Sequence, residues 1–196
     1  MTSASSPLLT LRSAVADYRN LTLEVDGRLA VVTVNRPQKR NALDTETVGE
    51  FHQALDEIRG ARCGVFIVTG AGDKAFVSGA DIAAIRERRR DEALAGINSR
   101  LMSAVEAHEA VSIAAVNGWA LGGGCELALA CDLRIAASGA VSALPHPTLA
   151  IIPGAGGTHR LPRVVGMGRA KEMILTGARW DASQALAAGL VSEVVP

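Results

Sequence analysis

The first regular pattern in the chain is an alternation of apolar and polar residues followed by a run rich in valine. Residues 21–25 alternate, Asp26-Gly27 forms a two-residue turn signal, and residues 29–34 read LAVVTV. Alternation with period two places every second side chain on one face of a strand, and an Asp-Gly pair suits a tight turn between antiparallel strands. The pattern predicts a β-hairpin.

After the hairpin, the apolar residues adopt the spacing of a helix. Four of them recur three or four positions apart: Val48, Phe51, Leu55 and Ile58. This spacing predicts an α-helix that starts at Asp44 or Thr45 and ends at Gly60. The other predicted elements are strands over 64–69, 112–117, 133–137 and 191–195, and helices over about 82–110, 121–130, 170–175 and 182–188.

The predicted elements recur in the order strand, strand, helix. Each unit takes about 40–50 residues, and no sequence repeat accompanies this period. The order predicts an α/β architecture in which strands are stacked in a spiral. The chain stops at Pro196, directly after a predicted strand, so we expect that the fold either finishes there or is truncated.

Composition excludes some classes of function. The 20 Lys and Arg residues balance the 20 Asp and Glu residues, whereas non-specific nucleic-acid binding needs a large positive surplus. No apolar run approaches the roughly 18–20 residues of a membrane span. We therefore expect neither nucleic acid nor membrane as a partner. The length of 196 residues predicts one core domain, over 17–196. Residues 1–16 are Ser-rich and are expected to form a flexible N-terminal tail, with a weak organellar targeting peptide as the alternative.

The cysteines and histidines form no recognisable metal or disulfide pattern. Three cysteines are present, an odd number with no CxxC pair, and the four histidines lie far from them along the chain. We therefore expect no metal site and a reducing compartment, the cytoplasm.

A glycine-rich stretch over 117–132, NGWALGGGCELALACD, carries the clearest chemical signal. Gly122, Gly123 and Gly124 lie between a predicted strand and a helix, and Glu126 follows within one turn. Consecutive glycines leave N–H groups uncovered at the positive end of the helix, where they suit a phosphate or an oxyanion. Glu126 is then either a catalytic group or an exposed helix residue.

The glycines do not belong to a known nucleotide or hydrolase motif. A GxGxxG fingerprint would need glycine at His159, and neither GxxxxGK[ST] nor GxSxG occurs. A second glycine loop, SGAD over 78–81, also precedes a predicted helix. If the loops face each other, the N–H groups of Ala80 and Gly123 converge on one oxygen. Asp81 by itself fits a helix N-cap better than a catalytic acid.

These residues, with several others, resemble the enoyl-CoA hydratase/isomerase (crotonase) superfamily. The matches follow the family's order from about residue 21 to 196. They are NRP at 35–37, NAL at 41–43, SGADI at 78–82, NGWALGGGCELALACD at 117–132, IPGAGGT at 152–158, RL at 160–161 and AGLV at 188–191.

The resemblance implies a crotonase-like spiral of ββα units, without the usual C-terminal helices, assembled as a homo-trimer or a hexamer. It also implies an acyl-CoA thioester as ligand, with coenzyme A present only as part of that substrate and no other cofactor. Ala80 and Gly123 are then the two donors of an oxyanion hole. The residues implied in substrate binding are Lys39, Arg40, Ala42, Leu43, Ala80, Asp81, Ile82, Gly122 and Gly123.

The resemblance also implies a catalytic role for Glu126. At one position this chain departs from the family's pattern. Hydratases of the family use a second glutamate twenty residues later, and here that position, between Pro145 and Pro147, is His146. A histidine can exchange protons near neutral pH but cannot remain anionic as a carboxylate does. We therefore take Glu126 as the main acid/base and His146 as either a second proton-transfer group or an inactive substitute.

The implied function is that of an enoyl-CoA hydratase-like lyase. A single-glutamate enoyl-CoA isomerase or a decarboxylase is the alternative within the same fold, because Glu126 alone could move a proton between carbons. A third hypothesis is a truncated or degenerate member that binds acyl-CoA without turning it over.

Overall fold

The computed structural model describes residues 12–14, 18–81 and 95–196. The strands are β1 (Arg12–Ala14), β2 (Leu21–Asp26), β3 (Leu29–Val34), β4 (Val65–Gly70), β5 (Val111–Val116), β6 (Trp119–Leu121), β7 (Leu133–Ala137), β8 (Val141–Ala143), β9 (Arg179–Asp181) and β10 (Glu193–Val195). The helices are α1 (Thr45–Gly60), α2 (Ile97–Glu106), α3 (Gly123–Ala130), α4 (Gly157–Val165), α5 (Met167–Thr176) and α6 (Ala182–Ala187), with 3₁₀ turns at Pro37–Lys39 and His146–Leu149.

Seven strands form the main sheet in the order β1-β2-β3-β4-β5-β7-β10. The predicted hairpin is confirmed, because β2 and β3 pair antiparallel from Leu21↔Val34 to Asp26↔Leu29. From β3 onward every neighbouring pair is parallel. The carboxyl ends of parallel strands share one edge of a sheet, where ligands commonly bind. The loops after β4 and β5 therefore leave the sheet on the same side.

A second, smaller sheet joins three short strands in the order β6-β8-β9. The pair β6 and β8 is parallel, and β8 and β9 are antiparallel. The sequence pattern did not predict these strands, since three residues are too few to display an alternation. The small sheet positions the start of α3, because the N–H of Gly122 donates to the Ala143 carbonyl of β8 at 2.9 Å.

The helices pack as their apolar residues predict. Helix α1 begins after Asp44, whose side chain accepts the Thr47 N–H at 2.8 Å, and it buries the four predicted apolar residues. Helix α3 is buried at every position, so it forms the centre of the protein. No helix within the described ranges has both the length and the apolarity that crossing a membrane would require.

The predicted mixed α/β fold is confirmed, and several boundaries differ from prediction. The described part of the helix expected over about 82–110 is α2, and residues 82–94 lie outside the described ranges. Helix α2 ends at Glu106 because the His108 ring accepts the Ala110 N–H at 3.1 Å, which forms a turn before β5. The strand expected from 191 begins only at Glu193, since the Val191 N–H bonds back to the Ala185 carbonyl.

Helix α4 was not predicted. It follows a segment rich in glycine and proline and contains Pro162, all of which disfavour a helix locally. The helix was missed because tertiary packing outweighs local propensity. Arg160 and Leu161 of this helix are buried.

At the amino end, the structure places strand β1 inside the segment expected to be a tail. Arg12–Ala14 pairs antiparallel with β2, and these three residues therefore differ from the expectation. Residues 1–11 and 15–17 lie outside the described ranges, so the division into a tail and a core at 16/17 stays a prediction.

Candidate active site

The glycine stretch forms a sharp turn from β6 into α3, as its sequence predicted. Gly122 has φ 53° and ψ −118°, a combination that residues with a Cβ rarely adopt. Gly124 packs directly against the backbone carbonyl of Val77, so that no space remains for a Cβ. The first turn of α3 can therefore lie against the 77–81 segment only because these positions are glycine.

The two glycine loops face each other, as required for their N–H groups to converge. The Val77 N–H donates to the Trp119 carbonyl at 3.2 Å, and the Leu121 N–H donates to the Val77 carbonyl at 3.1 Å. A Cβ built on Gly123 would lie 3.4 Å from the Ala80 nitrogen. Among the described residues, neither the Ala80 nor the Gly123 N–H has an acceptor. Both residues line one cavity of about 310 Å³.

Glu126 points from the first turn of α3 into the same cavity and is 2% exposed. Its Oε1 accepts the N–H of Ala155 at 2.8 Å and the N–H of Gly157 at 2.9 Å. Burial raises the pKa of the Glu126 carboxyl above its ordinary value, while the Gly157 and Ala155 donors and the charge of Arg160 oppose that rise. A buried carboxyl whose pKa is shifted upward can exchange protons near neutral pH.

His146 lies opposite Glu126 at the start of the second 3₁₀ turn. Its Nε2 is 3.8 Å from Glu126 Oε2, and its side chain is 12% exposed. Burial lowers the pKa of His146 below its ordinary value, which favours the neutral ring. Within the described ranges, its Nδ1 has no hydrogen-bond partner. A separation of 3.8 Å is too long for a direct hydrogen bond.

The residues expected to bind the CoA portion form two adjacent segments. Lys39 and Arg40 are exposed, whereas Ala42 and Leu43 are buried. The Leu43 N–H donates to the Gly79 carbonyl at 2.8 Å, and the Asp81 N–H donates to the Leu43 carbonyl at 2.9 Å. These bonds place the 39–43 loop beside Ala80. Ile82 lies outside the described residues, as does any helix that Asp81 would cap.

Sequence reasoning missed the residues that hold these parts in place. Arg36 is buried, contacts the Ala42 carbonyl and lies 2.7 Å from Asp44 Oδ2 and 3.9 Å from Asp81 Oδ2. The roles of Ala155 and Gly157 as donors to Glu126 were also missed. Their signal was the IPGAGGT run, which was recognised as a motif but received no chemical role because it lies about thirty residues from Glu126.

The fold and this cavity together define an α/β protein with two backbone donors beside a buried carboxyl. The sequence model described as enoyl-CoA hydratase/isomerase matches residues 24–196. The chain belongs to the enoyl-CoA hydratase/isomerase family. The resemblance stated from the sequence is thereby confirmed, as is the crotonase-like fold.

Individual relatives agree with this assignment. A short-chain-enoyl-CoA hydratase of Clostridium acetobutylicum is 45% identical over 182 residues, which cover 91% of this chain and 70% of that protein. A crotonyl-CoA hydratase of Syntrophomonas wolfei is 45% identical over 181 residues, with the same shares covered. The crystal structure of an enoyl-CoA hydratase of Bacillus anthracis matches with a TM-score of 0.87 at 43% identity, covering 91% of this chain and 70% of that one.

Proposed function

We propose that this acyl-CoA-processing enzyme hydrates a 2-enoyl-CoA thioester. The observation that carries the proposal is the position of Glu126 and His146, which face each other in the cavity lined by Ala80 and Gly123. Relatives at 45% identity named as short-chain-enoyl-CoA and crotonyl-CoA hydratases support the same class of substrate.

The Ala80 and Gly123 N–H groups are proposed to hold the thioester oxygen. Addition of water to the double bond moves charge onto that oxygen, and fixed donors stabilise it more in the transition state than in the substrate. Loss of one such donor typically costs roughly 2.7–4 kcal/mol of transition-state stabilisation. The support from the structure is that both N–H groups lack an acceptor among the described residues.

Glu126 is proposed to move the proton. Oε1 is held by two N–H groups, which leaves Oε2 free to exchange a proton. The hydroxyl of water adds to C3 of the enoyl group while Oε2 takes the water's proton. The electron pair of the double bond moves toward the thioester oxygen, and Glu126 then delivers the proton to C2. The product is a 3-hydroxyacyl-CoA, and Glu126 returns to its starting state.

His146 is proposed to position the water. Its Nε2 and Glu126 Oε2 are 3.8 Å apart, so one water molecule can lie within hydrogen-bond reach of both atoms. A neutral imidazole can donate Nε2–H to the water oxygen while Glu126 accepts a water proton. In this arrangement His146 takes over the holding of water from the second glutamate, and Glu126 alone supplies the base.

The CoA portion is proposed to follow the 39–43 loop toward Ala80, with Lys39 and Arg40 near its phosphates. The support is that this loop is bonded to Gly79 and Asp81 on either side of Ala80. Assembly as a homo-trimer or hexamer is part of the same proposal and rests on the resemblance. A cytoplasmic location is also proposed, and it rests on the odd number of cysteines without a CxxC pair.

One observation favours a second candidate, isomerisation of a 3-enoyl-CoA. Among the described residues that line the cavity, Glu126 is the only carboxylate. An isomerase needs one base that removes a proton from C2 and returns it to C4, and it needs no water.

The test is the turnover of crotonyl-CoA and of a 3-enoyl-CoA by wild type and by His146→Glu, followed by product chromatography. We expect wild type to convert crotonyl-CoA to 3-hydroxybutyryl-CoA. A wild type that is inert toward crotonyl-CoA, with a His146→Glu variant that hydrates it, would show that the native reaction is not simple hydration. Calorimetric binding of acetyl-CoA without turnover of either thioester would favour a non-catalytic acyl-CoA-binding role.

A further inference from the structure

A buried cation lies behind the candidate site. Arg160 of α4 is 4% exposed, although arginine is almost never fully buried without a partner. One guanidinium nitrogen, Nη2, lies 2.6 Å from Glu106 Oε2 at the end of α2. A second guanidinium nitrogen, Nη1, donates to the Ala155 carbonyl at 3.0 Å. Arg160 therefore connects an acid on α2 to the loop that holds Glu126.

The residue between Arg160 and Glu126 is held from both sides. The Ala155 carbonyl accepts from Arg160, and the Ala155 N–H donates to Glu126 Oε1 at 2.8 Å. Two bonds in opposite directions fix the orientation of the 154–157 loop, from which Gly157 supplies the second donor to the same oxygen. A shift of this loop would turn Oε1, and with it the free Oε2 that faces His146.

The loop is shaped around the guanidinium group. Gly156 has φ 112°, and a Cβ built there would overlap Nη1 of Arg160. A Cβ on Gly157 would lie 3.2 Å from Glu126 Oε1. The glycines of this loop thus let the backbone pass between a buried cation and a buried carboxylate.

The titratable groups around Glu126 come from four elements. His146 faces it from the 3₁₀ turn, Cys125 adjoins it on α3 and Arg160 acts from α4. Glu106 acts through its pairing with Arg160. Burial raises the pKa of the Cys125 thiol to about 12, so that this neighbour is neutral. Among the described residues, the Arg160–Glu106 pair is therefore the neighbouring source of charge at neutral pH.

We infer that Arg160 is a positioning residue for the catalytic carboxylate, and that Glu106 sets how much of its positive charge Glu126 experiences. Arg160 fixes the Ala155 carbonyl, which orients the N–H donors to Oε1, and it favours the ionised form of Glu126. Glu106, whose side chain is 55% exposed, partly neutralises that charge. The inference rests on the proposed role of Glu126 as the acid/base.

Two substitutions should act in opposite directions on the titration of Glu126. Arg160→Met keeps apolar bulk but removes the cation, so the pKa of Glu126 should rise. Glu106→Gln keeps an acceptor for Arg160 but removes the countercharge, so the pKa of Glu126 should fall. Arg160→Lys retains the positive charge, so the pKa of Glu126 should stay near its wild-type value. The control is Lys171→Met, which removes an exposed cation from the neighbouring helix α5 and should leave the titration of Glu126 unchanged.

The experiment is a carbon-13 titration of proteins labelled at the glutamate carboxyl carbon, with the Glu126 signal assigned by its loss in Glu126→Gln. The same variants are assayed with crotonyl-CoA over pH. We expect opposite shifts in Arg160→Met and Glu106→Gln, matched by the acidic limb of kcat/KM. We also expect a loss of kcat on the order of ten- to a hundred-fold in Arg160→Met, with a nearly unchanged KM and partial recovery in Arg160→Lys.

The inference is overturned if folded Arg160→Met and Glu106→Gln titrate as wild type does, if both shift in one direction, or if Lys171→Met shifts as far. An inert wild type would contradict the proposed function alone, because the carboxyl titration needs no turnover. If Arg160→Met fails to fold, Glu106→Gln and Arg160→Lys still decide the outcome.

Discussion

At the scale of single residues, Glu126 is a carboxylate in a position that opposes its ionisation. It is 2% exposed and faces a neutral imidazole. The two N–H groups that stabilise its negative charge both donate to the same oxygen, Oε1. Burial therefore keeps its pKa above the ordinary value despite two N–H donors and the charge of Arg160. Burial of the Glu126 carboxyl costs stability, and because it raises the pKa it also supplies a base that can act as an acid.

Glu126→Gln should abolish most of the hydratase activity while preserving the fold. The amide oxygen can still accept the Ala155 and Gly157 N–H groups, but it cannot take a proton from water. Loss of a general base typically costs roughly 10²–10⁴-fold in rate. Turnover of crotonyl-CoA measures the loss, with the exposed Glu172→Gln on α5 as a control that should retain full activity. Activity that survives Glu126→Gln would contradict the assignment of the base.

The same substitution should stabilise the protein in a pH-dependent manner. Because the pKa of Glu126 is raised in the folded state, its contribution is fully present below the ordinary glutamate pKa and is lost as pH rises through the folded value. Glutamine mimics the protonated acid at every pH. We expect equal melting temperatures at low pH and a higher one for Glu126→Gln at neutral pH, measured by calorimetry. A lower melting temperature for the variant at neutral pH would contradict the direction of the pKa shift.

The acidic limb of the hydratase pH profile should lie above the ordinary pKa of glutamate. Glu126 must be ionised to accept the water proton, so kcat/KM should fall as pH drops through its raised pKa. Steady-state kinetics with crotonyl-CoA over pH measures this limb. A limb at or below the ordinary glutamate pKa would show that another group limits the rate.

At the scale of elements, the decisive feature is the close contact between α3 and the 77–81 segment. Gly124→Ala would place a Cβ against the Val77 carbonyl, and overpacking of this kind costs roughly 1–3 kcal/mol. Gly49→Ala on α1 is the matched control, since a Cβ there meets nothing within 4 Å, and it should stabilise by about 0.4–1 kcal/mol. Urea unfolding compares the two, and equal effects would contradict the proposed contact.

The larger elements could be predicted because their signals are local. The hairpin over 21–34 and helix α1 each carry a complete pattern of periodicity, turn and cap. The strands β6, β8 and β9 could not be predicted, since pairing with one another, and not their own sequence, makes three residues a strand. Helix α4 was missed for a related reason: burial of Arg160 and Leu161 outweighs the local preference against a helix.

The contacts of the candidate site likewise divide into those that the sequence predicted and those that it did not. Proximity of Ala80 and Gly123, and of Glu126 and His146, was implied by the family resemblance that the motifs carry. The contacts of Arg36 and Arg160 could not be foreseen. Their acidic partners lie on other elements of the fold, where nothing in the sequence pairs them, and each arginine also bonds to a backbone carbonyl that any residue supplies. Residue identity carries no signal for the partner in such bonds.

At the scale of the whole molecule, the proposed trimer or hexamer makes a direct prediction. Several large apolar side chains of α5 and the 149–152 segment are exposed, among them Leu175 at 70% and Ile152 at 74%, and burial of such side chains between subunits would be favourable. Native mass spectrometry should give three or six copies of the 20.3 kDa chain. A monomer at micromolar concentration would contradict this part of the proposal.

The central claim is that an acyl-CoA thioester reacts between the Ala80 and Gly123 amides, Glu126 and His146. A crystal structure of the complex with acetyl-CoA, whose acyl group has no carbon–carbon double bond to hydrate, tests this most directly. We predict the thioester oxygen within about 2.7–3.1 Å of both backbone nitrogens, with the acyl group beside Glu126 Oε2. A thioester bound elsewhere, or one whose oxygen contacts neither nitrogen, would contradict the account.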